Sequence, residues 1–215
     1  MFRLLSVRHG ETEWNTQGRY QGQLDSPLTP LGIAQAEALG LRLADEPIDA
    51  SVISDLPRAQ HSADLLLAGH PLTPRHFEPR LRERHFGAFS GLTRAEAMAR
   101  DPASEARYLA GDPDFRLPGG GESLRDVQER TCSAIDAWAD RYDGQTVLAV
   151  AHGGVLSVFL RAVLRIPLEV PRGYVVPNAA LNIFEREQRV WRLRTWGDLE
   201  HLKVLETSDD ASVTL

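Results

Sequence analysis

The chain has 215 residues, 42% of them hydrophobic, with a formal net charge of −6 and one cysteine. That length suits one α/β unit with a sizeable core, expected over residues 1–205, with the polar, acidic residues 206–215 as a frayed tail. The acidic balance weighs against broad nucleic-acid or membrane binding, no apolar run approaches the ~18 residues of a membrane span, and the lone Cys132 excludes an intrachain disulfide. The first residues enter a strand without a cleavable signal pattern, so the expected compartment is the cytoplasm.

In chain order, an apolar strand over 2–7 comes first. Thr29 caps a helix over 30–44 that begins with Pro30, although Gly32 stands where Glu or Gln would complete a capping box. A strand over 51–54 and a helix over 57–67 follow, and 81–91 reads as a loop entered from an extended segment. Residues 101–121 are rich in Pro and Gly and are expected to hold short helical pieces that arch over a pocket. Their triple glycine lacks the Gly-Lys-Ser/Thr of a nucleotide-phosphate loop. Leu124, Val127, Thr131, Ile135, Trp138 and Tyr142 recur at helical spacing, which places Trp138 in the core and makes Cys132 a buried thiol. Residues 147–151 are continuously apolar, as in a strand covered on both faces, and 155–164 form the next helix. Strands over 180–185 and 190–195 close an alternating α/β pattern.

Two signals carry chemistry: Arg8-His9-Gly10-Glu11-Thr12 at the end of the first strand, and His152-Gly153-Gly154 at the end of a later one. Ligands of open α/β sheets bind at the carboxyl ends of strands, so the two histidines can meet in one pocket. A neutral imidazole is a nucleophile toward phosphorus, and the planar fork of Arg8 matches phosphoryl oxygens. Arg58 follows Pro57 near a helix N-terminus, where free N–H groups favour an anion. Glu83 stands between Arg82 and Arg84, a setting that usually means an ion pair.

Together with Trp14-Asn15, Asp25-Ser26-Pro27-Leu28-Thr29 and Gly120-Gly121-Glu122-Ser123, these segments resemble the histidine phosphatase superfamily, which includes the cofactor-dependent phosphoglycerate mutases. The resemblance spans nearly the whole chain and implies a three-layer αβα sandwich with a mostly parallel central sheet. It implies His9 as the nucleophile that becomes phosphohistidine, with Arg8, Arg58 and His152 around the phosphoryl group and Glu83 as proton donor. Asn15 matches a phosphate-contacting position. Thr12, Gln21 and Ser123 are candidate pocket residues, with a turn or cap contact as the other reading of each. No cofactor or metal is expected: neither His9 nor His152 belongs to a His-x3-His or Cys-rich ligand set, and arginines can neutralise the phosphoryl oxygens.

Three functions follow from this reading. A metal-independent phosphatase acting on a small phosphorylated metabolite and a phosphoglycerate mutase would share the phosphohistidine. Mutases of the family carry a paired-arginine clamp in a longer insertion, whereas Arg94, Arg100, Arg107 and Arg116 are scattered here, which favours the phosphatase. A non-catalytic phosphate-binding module ranks last, because every catalytic group is present. Dimers are common in the family, which makes a homodimer the assembly to test.

Overall fold

The structure, a computed structural model, describes residues 1–203 and 205; the expected tail at 206–215 lies outside the described residues. Six strands, β1 (Phe2–Arg8), β2 (Ala50–Ile53), β3 (Arg75–Phe77), β4 (Thr146–Ala151), β5 (Leu181–Glu187) and β6 (Val190–Asp198), form one sheet in the order β3-β2-β4-β1-β5-β6. β1, β2, β3 and β4 run parallel, and β5 and β6 add antiparallel at one edge.

The helices are α1 (Glu13–Thr16), α2 (Pro30–Arg42), α3 (Pro57–Leu66), α4 (Arg94–Arg100), α5 (Pro102–Leu109), α6 (Leu124–Arg141) and α7 (Gly153–Leu164). Alternation along the strands divides the core into two layers. Leu5, Val7, Leu148 and Val150 pack on Leu39, Ala59, Ala63 and Leu66 of α2 and α3. Phe2, Leu4, Val147 and Ala149 pack on Val127, Ile135, Val155 and Phe159 of α6 and α7. The result is a three-layer αβα fold. Trp138 packs against the core and donates its indole N–H to Glu78 at 2.9 Å. Cys132 is half-buried on α6, and burial pushes its thiol up to about 11.

Several expectations are corrected in detail. α7 begins at Gly153 rather than 155, so that His152 becomes its N-cap. α2 ends at Arg42, two residues before the expected end. β3, α1 and α4 were not anticipated: β3 is a three-residue edge strand with no apolar alternation to read, and the two helices are short.

The path of the chain fixes where a ligand can sit. β1 leads to α2 on one face of the sheet, whereas its neighbour β4 leads to α7 on the other. Between two such parallel strands the departing connections diverge and leave a crevice at the carboxyl ends. His9 and His152 follow those ends, and the His9 N–H donates to the Ala151 carbonyl at 3.1 Å.

Candidate active site

At the end of β1 the chain passes close beneath α2. A Cβ on Gly10 would lie 2.2 Å from the Gly32 carbonyl oxygen, and one on Gly32 would lie 2.0 Å from that of Glu11. Neither position accepts a side chain. This explains the unfinished capping box: Gly32 is needed for close approach, while Thr29 still caps α2 by accepting from the Gly32 N–H at 2.9 Å.

His9 is buried, with Nδ1 at 2.7 Å from the Gly10 carbonyl. A carbonyl only accepts, so Nδ1 carries the proton and Nε2 keeps a lone pair. Burial is the main force holding the His9 pKa well below its ordinary value, reinforced by the positive charges of Arg58 and Arg8. His152 is fully buried and shifted the same way, again chiefly by burial. The two rings lie 5.2 Å apart between centroids, at 57° to each other.

Both arginines are anchored chiefly by backbone carbonyls, which hold the guanidinium groups without neutralising them. Arg8 donates through Nη1 to Val176 O at 2.6 Å. Arg58, in the first turn of α3, donates to Gly22 O at 2.7 Å and Leu24 O at 2.8 Å, with Asp25 at 3.3 Å as its one acidic contact. Burial disfavours the charge of each, and the Glu83 carboxylate is the largest influence opposing it.

Glu83 is not in the ion pair its neighbours suggested. Arg82 turns to Asp55 at 2.6 and 2.7 Å, and Arg84 donates to the carbonyls of Glu122 and Phe115. The Glu83 carboxylate instead accepts from two backbone groups, the Arg84 N–H at 2.7 Å and the Gly154 N–H at 2.9 Å. A Cβ on Gly154 would stand 2.3 Å from Glu83 Oε1, so glycine there admits the carboxylate to the start of α7.

Arg8, His9, Asn15, Gln21, Arg58 and Glu83 line one pocket, together with Arg19, Tyr20, Gly22 and Phe86. His152 is not among the lining residues, but its ring is set against that of His9. Asn15 closes a capping box with Thr12, and Thr12 Oγ1 also accepts from Gln21. Thr12 therefore shapes α1 and orients Gln21 without lining the pocket. Ser123 spends its side chain on a capping box with Asp126 at the start of α6, and it is not among the lining residues. Residues 101–121 contain α5 and back the pocket wall rather than line it. Tyr108, Phe115 and Leu117 form a small core with Phe89, Tyr20 and Phe86, and the last two face the pocket.

Sequence reasoning missed the residues that brace this site. Asn178 donates to the His9 carbonyl at 2.9 Å and to Asn15 Oδ1 at 3.2 Å. Arg130 on α6 donates to the carbonyls of Arg80 and Arg82 at 2.7 Å and of Glu83 at 3.2 Å, and pairs with Glu122. Among the described residues no group of three or more His, Cys, Asp or Glu side chains could hold a metal ion, and no helix is long and apolar enough to cross a membrane. The sequence does hold an Asp-x-Asp pair, Asp112 and Asp114, but these carboxylates are engaged by Arg107 and Arg125.

The chain resembles known proteins over nearly its whole length. The chain is 37% identical over 201 residues to a metal-independent phosphoserine phosphatase of Arabidopsis thaliana, covering 93% of this chain and 82% of the relative. It is 33% identical over 206 residues to phosphoglycerate mutase-like protein 4 of the same plant, covering 93% and 86%. Among solved structures, Bacillus stearothermophilus YhfR superposes with a TM-score of 0.85 at 34% identity, covering 94% of this chain and all of that one. The profile of the histidine phosphatase superfamily, branch 1, matches residues 4–199, and with relatives at this identity over nearly its whole length the chain belongs to that superfamily.

Proposed function

We propose that this chain hydrolyses small phosphomonoesters without a metal, through a phosphohistidine on His9. The observation that carries the reading is the His9 Nδ1 to Gly10 hydrogen bond, which leaves Nε2 as a lone pair in a pocket shared with Arg8, Arg58 and Glu83. Nε2 attacks phosphorus in line with the leaving oxygen, the P–O bond breaks, and Glu83 protonates the departing alcohol. Water then attacks the phosphohistidine, the N–P bond breaks, and Glu83 takes the water's proton. Arg8 and Arg58 neutralise the phosphoryl oxygens throughout, with Asn15, Gln21 and His152 as further donors.

Hydrolysis is favoured over mutase transfer by what the scattered arginines do. Arg107 and Arg116 pair with Asp112 and Asp126 at 2.6 and 2.5 Å, and Arg94 faces Glu105 at 3.9 Å, so these cations are directed to acidic neighbours rather than assembled into a clamp. The name of the Arabidopsis phosphoserine phosphatase supports both the phosphatase chemistry and a small phosphorylated metabolite as substrate. The single cysteine favours a cytoplasmic setting.

The test is the intermediate. Enzyme labelled from a ³²P-phosphomonoester retains label after alkaline quench and loses it after acid quench, because a phosphoramidate is acid-labile. His9→Ala removes the label, and label that survives this substitution excludes His9 as the nucleophile.

A further inference from the structure

Ser54 stands immediately after β2, fully buried, with its backbone N–H donating to Val150 O on β4 at 2.9 Å. That crossing brings its side chain to the end of β4, where Oγ lies 2.7 Å from Nε2 of His152. Ser54 Oγ has one other contact among the described residues: it accepts from the Leu56 N–H at 3.4 Å. The hydroxyl proton therefore has one acceptor within reach, His152 Nε2. The opposite arrangement, with Nε2–H donating to Oγ, would leave both the hydroxyl proton and the Nδ1 lone pair unpaired, against the Nδ1–H alone in the first. A hydrogen bond to one ring nitrogen decides where the other carries its proton. The His152 Nδ1 is buried, has no hydrogen-bond partner among the described residues, and belongs to a ring set against that of His9.

We propose that Ser54 is a positioning residue that fixes His152 as the Nδ1–H tautomer, so that His152 meets the phosphoryl group on His9 as a neutral hydrogen-bond donor. The other tautomer would turn a lone pair toward phosphoryl oxygens that can only accept. Ser54 is not among the pocket-lining residues; it acts through the imidazole. The acceptor's identity rests on the phosphohistidine reading, whereas the tautomer does not.

The experiment separates the two. Long-range ¹H–¹⁵N correlation spectra of the full-length protein, with His152→Asn for assignment, report which ring nitrogen is protonated in the absence of substrate. The unmutated protein shows His152 with a pyrrole-type Nδ1 and a pyridine-type Nε2, and Ser54→Ala loses that pattern by admitting the Nε2–H form. In the same variant the phosphoenzyme burst slows by about tenfold, the low end of the range for losing a partner that orients a metal-bound histidine. A protonated Nε2 in the unmutated protein overturns the proposal. So does a Ser54→Ala protein that keeps the original tautomer, or one whose burst stays within twofold of the unmutated rate. Should the spectra be as expected in a protein that never forms phosphohistidine, the hydrogen bond stands and the phosphohistidine reading falls.

Discussion

Gly154→Ala isolates the contribution of Glu83 without substituting Glu83. The added Cβ would lie 2.3 Å from Oε1, 3.1 Å from the carboxyl carbon and 3.4 Å from Oε2, and these are its three nearest heavy atoms. No backbone atom stands closer than the carboxylate, so the cheap relaxation is for the end of a flexible side chain to swing away. Gly154 is ordinary helix in the first turn of α7, and alanine accepts that conformation. The cost to folding is then about one charge-assisted hydrogen bond, roughly 1.5–3 kcal/mol before water replaces it. At about 2–4 °C per kcal/mol for a chain this size, the melting temperature falls by about 3–12 °C at most. The cost to chemistry is larger. Reaching ordinary contact requires the carboxylate to retreat by roughly 1 Å, a displacement that can cost about 10²-fold when it separates reacting groups. General acid catalysis is worth about 10²–10⁴-fold when the leaving oxygen needs a proton. A simple alkyl phosphate therefore loses at least about 10²-fold in burst rate, or roughly 3 kcal/mol of barrier. An aryl phosphate with a nitrophenolate leaving group loses little, because that oxygen departs unprotonated. Rapid-quench measurement of the burst with both substrates reads the difference directly. Equal losses for the two, or an alkyl burst within threefold of the unmutated rate, would refute the assignment of Glu83 as the proton donor.

Arg58→Ala gives the opposite signature: the alkyl and aryl bursts fall together by about 10²–10³-fold, because the cation stabilises phosphoryl oxygens whatever the leaving group. A loss that depended on leaving-group basicity would contradict this. Incubation with EDTA leaves turnover unchanged and vanadate inhibits it as a mimic of the in-line transition state; activity restored to a chelated sample by zinc or magnesium would speak for a bound metal. Stability falls with acidity below about pH 6.5, because the unfolded chain then takes up protons that the buried His9 and His152 refuse. Their depressed folded values mean that this stability is fully present above the unfolded pKa and is lost as pH falls toward the folded one. Urea unfolding between pH 7.5 and 5 measures the slope, and His152→Asn flattens it; an unfolding free energy that does not change over that range would remove the basis for two buried neutral imidazoles.

What could be read from the sequence was what leaves a local mark. His9, Arg58 and His152 each stand beside a glycine or proline at the end of a strand or the start of a helix, and the departures from regular pattern advertise them. Glu83 was legible as a residue but not as an environment. Flanking arginines suggested an ion pair, yet their side chains go to Asp55 and to two carbonyls, and the carboxylate is held by backbone N–H groups, one of them at α7. Arg130 and Asn178 left no such mark, because they brace the site largely through backbone carbonyls, and a carbonyl belongs to every residue alike. On a helical wheel Arg130 reads as one more charge on α6; the remaining clue was its place between Val127 and Thr131, both buried. Its partners Arg80 and Arg82 lie 50 and 48 residues away, a separation at which only the folded sheet decides what meets.

The same distinction bears on the two histidines. Residue identity announces an imidazole but is silent on which nitrogen holds the proton, and the chemistry depends on that choice. For His9 the choice is made one residue along, by the Gly10 carbonyl, so a nucleophilic Nε2 is built into the strand end. For His152 it is made by Ser54, 98 residues earlier, and depends on β2 and β4 lying side by side. A variant that loosens this pairing, far from any contact with substrate, is therefore expected to lower the burst rate through His152 while leaving the His9 tautomer intact. The ¹⁵N spectra that test Ser54 would register that separation in a single sample, as a change at one ring and none at the other.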